Sequence, residues 1–213
     1  MRSVLVTGAN RGLGLELIRQ LAKAERPPRC LLAGCRDPDG SRAKDLKDMA
    51  KSFPNIKIFK LDVDNFDSIQ ECADQILKVL ENNGLNLLIN NAGINFGGGL
   101  NEVTPETMMQ SYRTNVVGPM MVTKALLPVL QRAAQLSDEL GISCKKAAVI
   151  NMSSILASIE LLGETAGKVY PYRASKAPLT TEESVQGILR VLSKLSDKDT
   201  GSFLDWRGQR LPW

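Results

Sequence analysis

Ser3-Val-Leu-Val-Thr7 is a short β-rich run that passes straight into a turn with glycines at 8, 12 and 14. That turn opens an amphipathic stretch from Leu13 to Lys23, with leucine or isoleucine at 13, 17, 18 and 21. No other feature constrains the fold as strongly, because strand, glycine turn and helix in this order begin a unit whose next strand returns parallel to the first. The alternation then continues. Apolar runs at 30–33, 56–61, 85–89 and 147–151 are separated by helical patterns at 41–52, 66–82 and 105–135. The order βαβαβαβαβ predicts an α/β fold, a doubly wound parallel sheet with helices on both faces and a ligand site at the carboxyl ends of its strands.

The chemistry-bearing residues fall at those ends. Thr7-Gly-Ala-Asn-Arg-Gly-Leu-Gly14 places Gly8, Asn10, Arg11, Gly12, Leu13 and Gly14 where a backbone must approach a pyrophosphate and a helix N-terminus favours negative charge. No Gly-Lys-Ser/Thr follows, which excludes a phosphate-binding P-loop. After the second strand, Gly34-Cys35-Arg36 stands where an acidic residue would grip a ribose 2′-hydroxyl, with Asp37 one step later. Arg36 suits a 2′-phosphate, and Arg11 adds a second positive charge, so NADP(H) is favoured over NAD(H). The bland alternative is two solvated surface arginines. Asp62, in Leu61-Asp-Val-Asp64 with Val63 beside it, is placed to accept from an adenine amino group or to cap the following helix.

A second constellation lies near the C-terminus. Tyr172 and Lys176 are four apart and share one helix face. A tyrosine with its ordinary pKa near 10 is a poor acid or base at neutral pH, and lowering it toward 7 requires about 4 kcal/mol. One cation at ~4 Å supplies about that much at an effective dielectric near 20. The pair is chemically sufficient for proton transfer. Tyr170 is a rival phenol, but Ala174 stands four residues after it, which makes Tyr172 the stronger candidate.

Composition removes several alternatives. At 213 residues, 43% hydrophobic and 23% charged, with no linker-like run, the chain reads as one domain, 1–213. The net charge is +4, but the basic residues are dispersed, so nucleic acid is not an expected partner. Histidine is absent, which removes Ser-His-Asp and Cys-His catalysis and every His-ligated metal site. Cysteines at 30, 35, 72 and 144 lack zinc-site spacing, no secretory signal precedes Val4, and no apolar run approaches the ~18 residues of a membrane span. Reduced thiols in a cytoplasmic protein, without metal or membrane, are the expectation.

Taken in order, these motifs resemble those of the short-chain dehydrogenase/reductase family from Ser3 to about Ala177. Thr-Gly-Ala-Asn-Arg-Gly-Leu-Gly is similar to the family's cofactor loop, Asn90-Asn91-Ala92-Gly93 to its strand-four motif, and Asn115-Val-Val-Gly118 to the helix carrying its catalytic asparagine. Asn151-Met-Ser-Ser154 resembles the strand bearing its catalytic serine. The resemblance implies a single-domain Rossmann fold binding a nicotinamide cofactor, with Asn91, Ala92 and Gly93 lining it. It also implies that Ser154 polarises a substrate carbonyl, Tyr172 donates or accepts the proton, and Lys176 lowers the Tyr172 pKa while holding the nicotinamide ribose. Asn115 would support a water in the proton relay. The tail, Gly201-Ser-Phe-Leu-Asp-Trp-Arg-Gly-Gln-Arg-Leu-Pro-Trp213, is similar to the ending of C-factor and sniffer-type carbonyl reductases. A small-molecule carbonyl substrate follows from that likeness.

The chain departs from the family after Lys176. Residues 182–195 read as a helix and 201–206 as the last strand, joined to the catalytic helix only by Ala177 to Thr181. Six steps span at most about 20 Å, too few for a crossover helix and a returning strand. The sixth strand and substrate loop of the family are therefore expected to be missing, leaving 1–177 as cofactor and catalytic core and 178–213 as a shortened C-terminal part. Pro178 should end the helix carrying Tyr172 and Lys176 almost at once. The family's homodimer interface would be weakened by the same loss. Two functions follow: an NADPH-dependent carbonyl reductase, or a catalytically impaired nucleotide-binding or regulatory variant.

Overall fold

The computed structural model describes residues 2–97, 100–138, 143–154, 171, 202, 204–205 and 207–210. Within them five strands form one parallel sheet: β1 (Ser3–Thr7), β2 (Cys30–Cys35), β3 (Ile56–Lys60), β4 (Leu87–Asn90) and β5 (Ala148–Asn151). Their spatial order is β3-β2-β1-β4-β5. The chain winds outward from β1 in one direction and then, from β4, in the other. That reversal opens a crevice at the carboxyl ends of β1 and β4, where such sheets bind ligands.

Strand periodicity divides the core in two. Val4, Val6, Leu31, Ala33, Leu87 and Ile89 pack on one face against Leu17, Ile18 and Leu21 of α1 (Gly12–Lys23) and Leu46 of α2 (Lys44–Ser52). Leu5, Leu32 and Leu88 alternate to the other face. There they meet Ile69, Cys72 and Ile76 of α3 (Phe66–Leu80) and Val122, Leu126 and Val129 of α5 (Gly118–Gln135). Each fully buried leucine or isoleucine contributes about 1.5–3 kcal/mol. β1 is buried along its whole length, as a strand covered on both faces must be.

At the opposite, amino-terminal edge, Asn86 ties three segments together. Its Oδ1 accepts from the backbone N–H of Ser3 (3.1 Å), and its Nδ2 donates to the carbonyls of Lys145 (2.9 Å) and Lys146 (2.8 Å).

Two helical expectations need correction. Residues 105–135 are not one helix but α4 (Pro105–Tyr112), a π-turn (Arg113–Val117) and α5. Apolar periodicity passes through such a break, because one inserted residue shifts the helix face without ending it. The 41–52 pattern begins with a 3-10 turn, Ser41–Ala43, before α2. Local signals explain the starts. Asn65 caps α3 by accepting from Ser68 N–H (2.9 Å), and Thr104 forms a capping box with Thr107 ahead of Pro105.

Of the expected final strand, residues 202, 204 and 205 are described, and Leu204 forms an isolated antiparallel bridge with Arg210. The expected helix at 182–195, the joint at 177–181, Tyr172 and Lys176 lie outside the described residues. Among the described residues no helix is long and apolar enough to cross a membrane.

Candidate active site

Of the residues that the sequence assigns to cofactor binding, those from Gly8 to Gly93 stand at the carboxyl ends of β1 to β4. β1 ends at Thr7, and the chain turns at Gly8 with φ +66°. A Cβ there would lie 2.9 Å from the Cα of Ala92, so only glycine allows the two loops to touch. Thr7 locks them: its Oγ1 accepts from the N–H groups of Asn91 (3.0 Å) and Ala92 (2.9 Å). In return, Asn91 Nδ2 donates to the carbonyl of Thr7 (2.9 Å). Gly14 is buried beneath this joint, and a side chain on it would collide with the Gly8 carbonyl.

The loop suits a pyrophosphate. Arg11 occupies the N-cap of α1 in an extended conformation, no side chain caps the helix, and no acidic residue stands in its first turn. The positive end of the helix is thus left for an external anion. Asn91 Oδ1 is buried with no hydrogen-bond partner among the described residues, an acceptor beside the loop.

At the end of β2, Arg36 is exposed, as is Arg11 on the adjacent loop, and neither makes an ion pair among the described residues. Asp37, one residue on, is also exposed. Its Oδ1 accepts from Gly40 N–H (2.9 Å) in a tight turn, while Asp39 pairs with Lys47 (2.9 Å).

Asp62 follows β3. Its N–H donates to Ser68 Oγ (3.0 Å) and its Oδ1 accepts from Asp64 N–H (3.1 Å). The helix-cap alternative for Asp62 is excluded, because Asn65 fills that position. Val63 is buried, and its carbonyl would lie 2.9 Å from a Cβ on Gly118, bringing the start of α5 against this loop.

The described residues expected to be catalytic, Asn115 and Ser154, lie one strand over. Asn115 sits inside the π-turn, a widened helical turn of a kind frequent at functional sites. Its Oδ1 accepts from Ile94 N–H (2.9 Å) and its Nδ2 donates to Ile94 carbonyl (3.0 Å), so the amide pairs with extended backbone as a neighbouring strand would. Ser154 is buried three residues beyond β5, whereas Ser153 is exposed. β5 continues alongside the exit of β4: Met152 N–H donates to Asn90 carbonyl (3.0 Å), and Asn90 Nδ2 donates to Asn151 Oδ1 (2.9 Å). Ile94, holding Asn115, and Ser154 therefore lie on the extensions of adjacent strands. Among the described residues no group of three or more His, Cys, Asp or Glu is placed to hold a metal ion.

Sequence reasoning missed the role of Asp64. Its Oδ2 accepts from Gln110 Nε2 (2.9 Å) and Thr114 Oγ1 (2.9 Å), and its carbonyl accepts from Arg113 Nη2 (2.7 Å). Only its position two residues after Asp62 hinted at a site.

Comparison with known proteins agrees with this arrangement. An NADPH-bound carbonyl reductase from chicken fatty liver is 37% identical, with a TM-score of 0.92 and coverage of 100% of this chain and 99% of that one. The carbonyl reductase Sniffer of D. melanogaster is 35% identical, also at 0.92, with 100% of both chains covered. An oxidoreductase of Schizosaccharomyces pombe, described as uncharacterized, is 28% identical over 251 residues, covering 98% of this chain and 96% of its own. That span exceeds the 213 residues of this chain, so the relative carries residues with no counterpart here. The short chain dehydrogenase model matches residues 2–182, a stretch that holds every strand and loop of the site, and the chain belongs to that family.

Proposed function

We propose that this oxidoreductase is an NADPH-dependent carbonyl reductase acting on small carbonyl compounds in the cytoplasm. The observation that carries the reading is the convergence of the Asn115–Ile94 pairing and buried Ser154 on adjacent strand extensions, beside a glycine loop flanked by Arg11 and Arg36. Resemblance to carbonyl reductases, one of them NADPH-bound, supports it. Cys30, Cys35 and Cys72 stand as thiols, which suits a reducing compartment.

In this reading Gly8, Asn10, Gly12, Leu13 and Gly14 form the pyrophosphate bed, and Arg11 and Arg36 take the 2′-phosphate. Asp62 and Val63 face the adenine, and Asn91, Ala92 and Gly93 border the ribose and nicotinamide. When bound, the nicotinamide supplies the hydride. Ser154 donates a hydrogen bond to the carbonyl oxygen, where negative charge develops. Tyr172 delivers the proton to that oxygen, and Lys176 keeps the phenol acidic enough to do so. Asn115 steadies the water through which the proton is replaced.

The test is loss of NADPH absorbance with a panel of ketones, aldehydes and quinones. Turnover by the parent chain and a fall of about 100-fold or more in Tyr172→Phe, with NADPH binding retained, is the expected result. A second reading, a catalytically impaired nucleotide-binding or regulatory member, is favoured by the extra residues of the fission-yeast relative. A parent chain that binds NADPH but turns over nothing on the panel would sink the first reading in favour of the second.

A further inference from the structure

We propose that Asp64 is a positioning residue, whose carboxylate and carbonyl hold the π-turn Arg113–Val117 so that the Asn115 side chain keeps its paired hydrogen bonds to Ile94. The inference rests on the carbonyl-reductase reading only for what Asn115 then does in turnover.

The π-turn is gripped on two sides. Gln110, Arg113 and Thr114, spaced three and four apart, present one helix surface, and all three donate to Asp64. Gln110 Nε2 also donates to Thr114 Oγ1 (3.1 Å), which closes a ring of hydrogen bonds with the carboxylate. Asn115, the next residue round the helix, leaves this surface and reaches Ile94. A π-turn is a rare local geometry that needs support from outside the helix. Asp64 supplies it from the loop between β3 and α3.

Asp64 is itself fixed. Its N–H is held by Asp62, and Asn65 immediately after it caps α3. The grip therefore refers the turn to the frame of the sheet. Its other oxygen, Oδ1, is buried with no hydrogen-bond partner among the described residues, and a buried unpaired acceptor is unfavourable. A side chain chosen for stability alone would avoid that arrangement. A charged acceptor shared by two donors holds a geometry more firmly than a neutral one.

The experiment is amide hydrogen exchange on the full chain, comparing the parent with Asp64→Ala and Thr114→Val, and using the N–H of Val6 in β1 as internal reference. Ile94 N–H, which donates to Asn115, should lose protection about tenfold or more in both variants while Val6 keeps its own. Unchanged Ile94 protection overturns the proposal. Thr114→Val leaves the Asp64 loop intact, so it decides the matter if Asp64→Ala fails to fold.

Turnover supplies the second arm. Asp64→Ala should lower kcat about 10- to 100-fold with little change in KM for NADPH, and should cost nothing further once Asn115→Ala is already present. An equal loss with and without Asn115→Ala would assign Asp64 a role independent of Asn115 and reject the proposal. An inert parent whose Ile94 loses protection on substitution of Asp64 sinks carbonyl reduction and sustains the positioning role.

Discussion

In the proposed reading, cofactor choice rests largely on one side chain, Arg36. Asp37 beside it accepts from Gly40 N–H through one oxygen. Charge-assisted hydrogen bonds contribute about 1.5–3 kcal/mol, roughly tenfold or more in affinity. Arg36→Ala should therefore raise KM for NADPH by about tenfold or more and leave KM for NADH nearly unchanged. Steady-state kinetics with both cofactors checks this, and an unchanged NADPH constant would detach Arg36 from the 2′-phosphate. The places of Arg36, Gly8 and Ser154 at strand ends were legible in the sequence because each follows closely on a short apolar run. Asp64 was not, since the partners of its carboxylate lie 46 and 50 residues away and only the folded chain brings them together.

Elements were legible in kind more than in extent. The five strands and their intervening helices follow from short apolar runs and from apolar periods of three to four residues. The break of 105–135 into α4, π-turn and α5 does not, because its cause is tertiary: Asp64 holds one side of the turn and Gly118 seats on Val63. The same local competition decided the cap of α3. Asp62 and Asn65 are both capping types, and Asn65 takes the position by reaching Ser68 N–H. Asn65→Ala should lower the unfolding free energy by about 1 kcal/mol with the urea m-value unchanged. An effect that size on replacing Asp62 instead would reverse the assignment.

At the scale of the molecule, a thiol is buried on each side of the sheet, Cys35 of β2 in the layer with α1 and α2 and Cys72 of α3 in the layer with α5. Burial pushes Cys35 up to about 11, helped by Asp37, and Cys72 up to about 12. In the unfolded chain both ionise near the ordinary value of 9.0. The native state therefore holds its protons longer than the unfolded state, and stability is fully present below about pH 9 and lost as pH rises from there toward 12. Urea melts across pH 7 to 11 should show a midpoint falling above pH 9, and replacing Cys72 by Ala or Val should shrink that fall. A fall of equal size without the thiol would place its origin elsewhere. The parallel order of the sheet was legible from alternation alone, whereas 172–201, with Tyr172 and Lys176, lies outside the described residues. The lock of Thr7 on Asn91 also sets an order of events in time. It joins residues 84 apart, so the closure of a long loop must precede it. The glycine loop leaves the ribosome before β4 but acquires its final shape only after β4 has emerged and docked, so nucleotide binding waits on that docking.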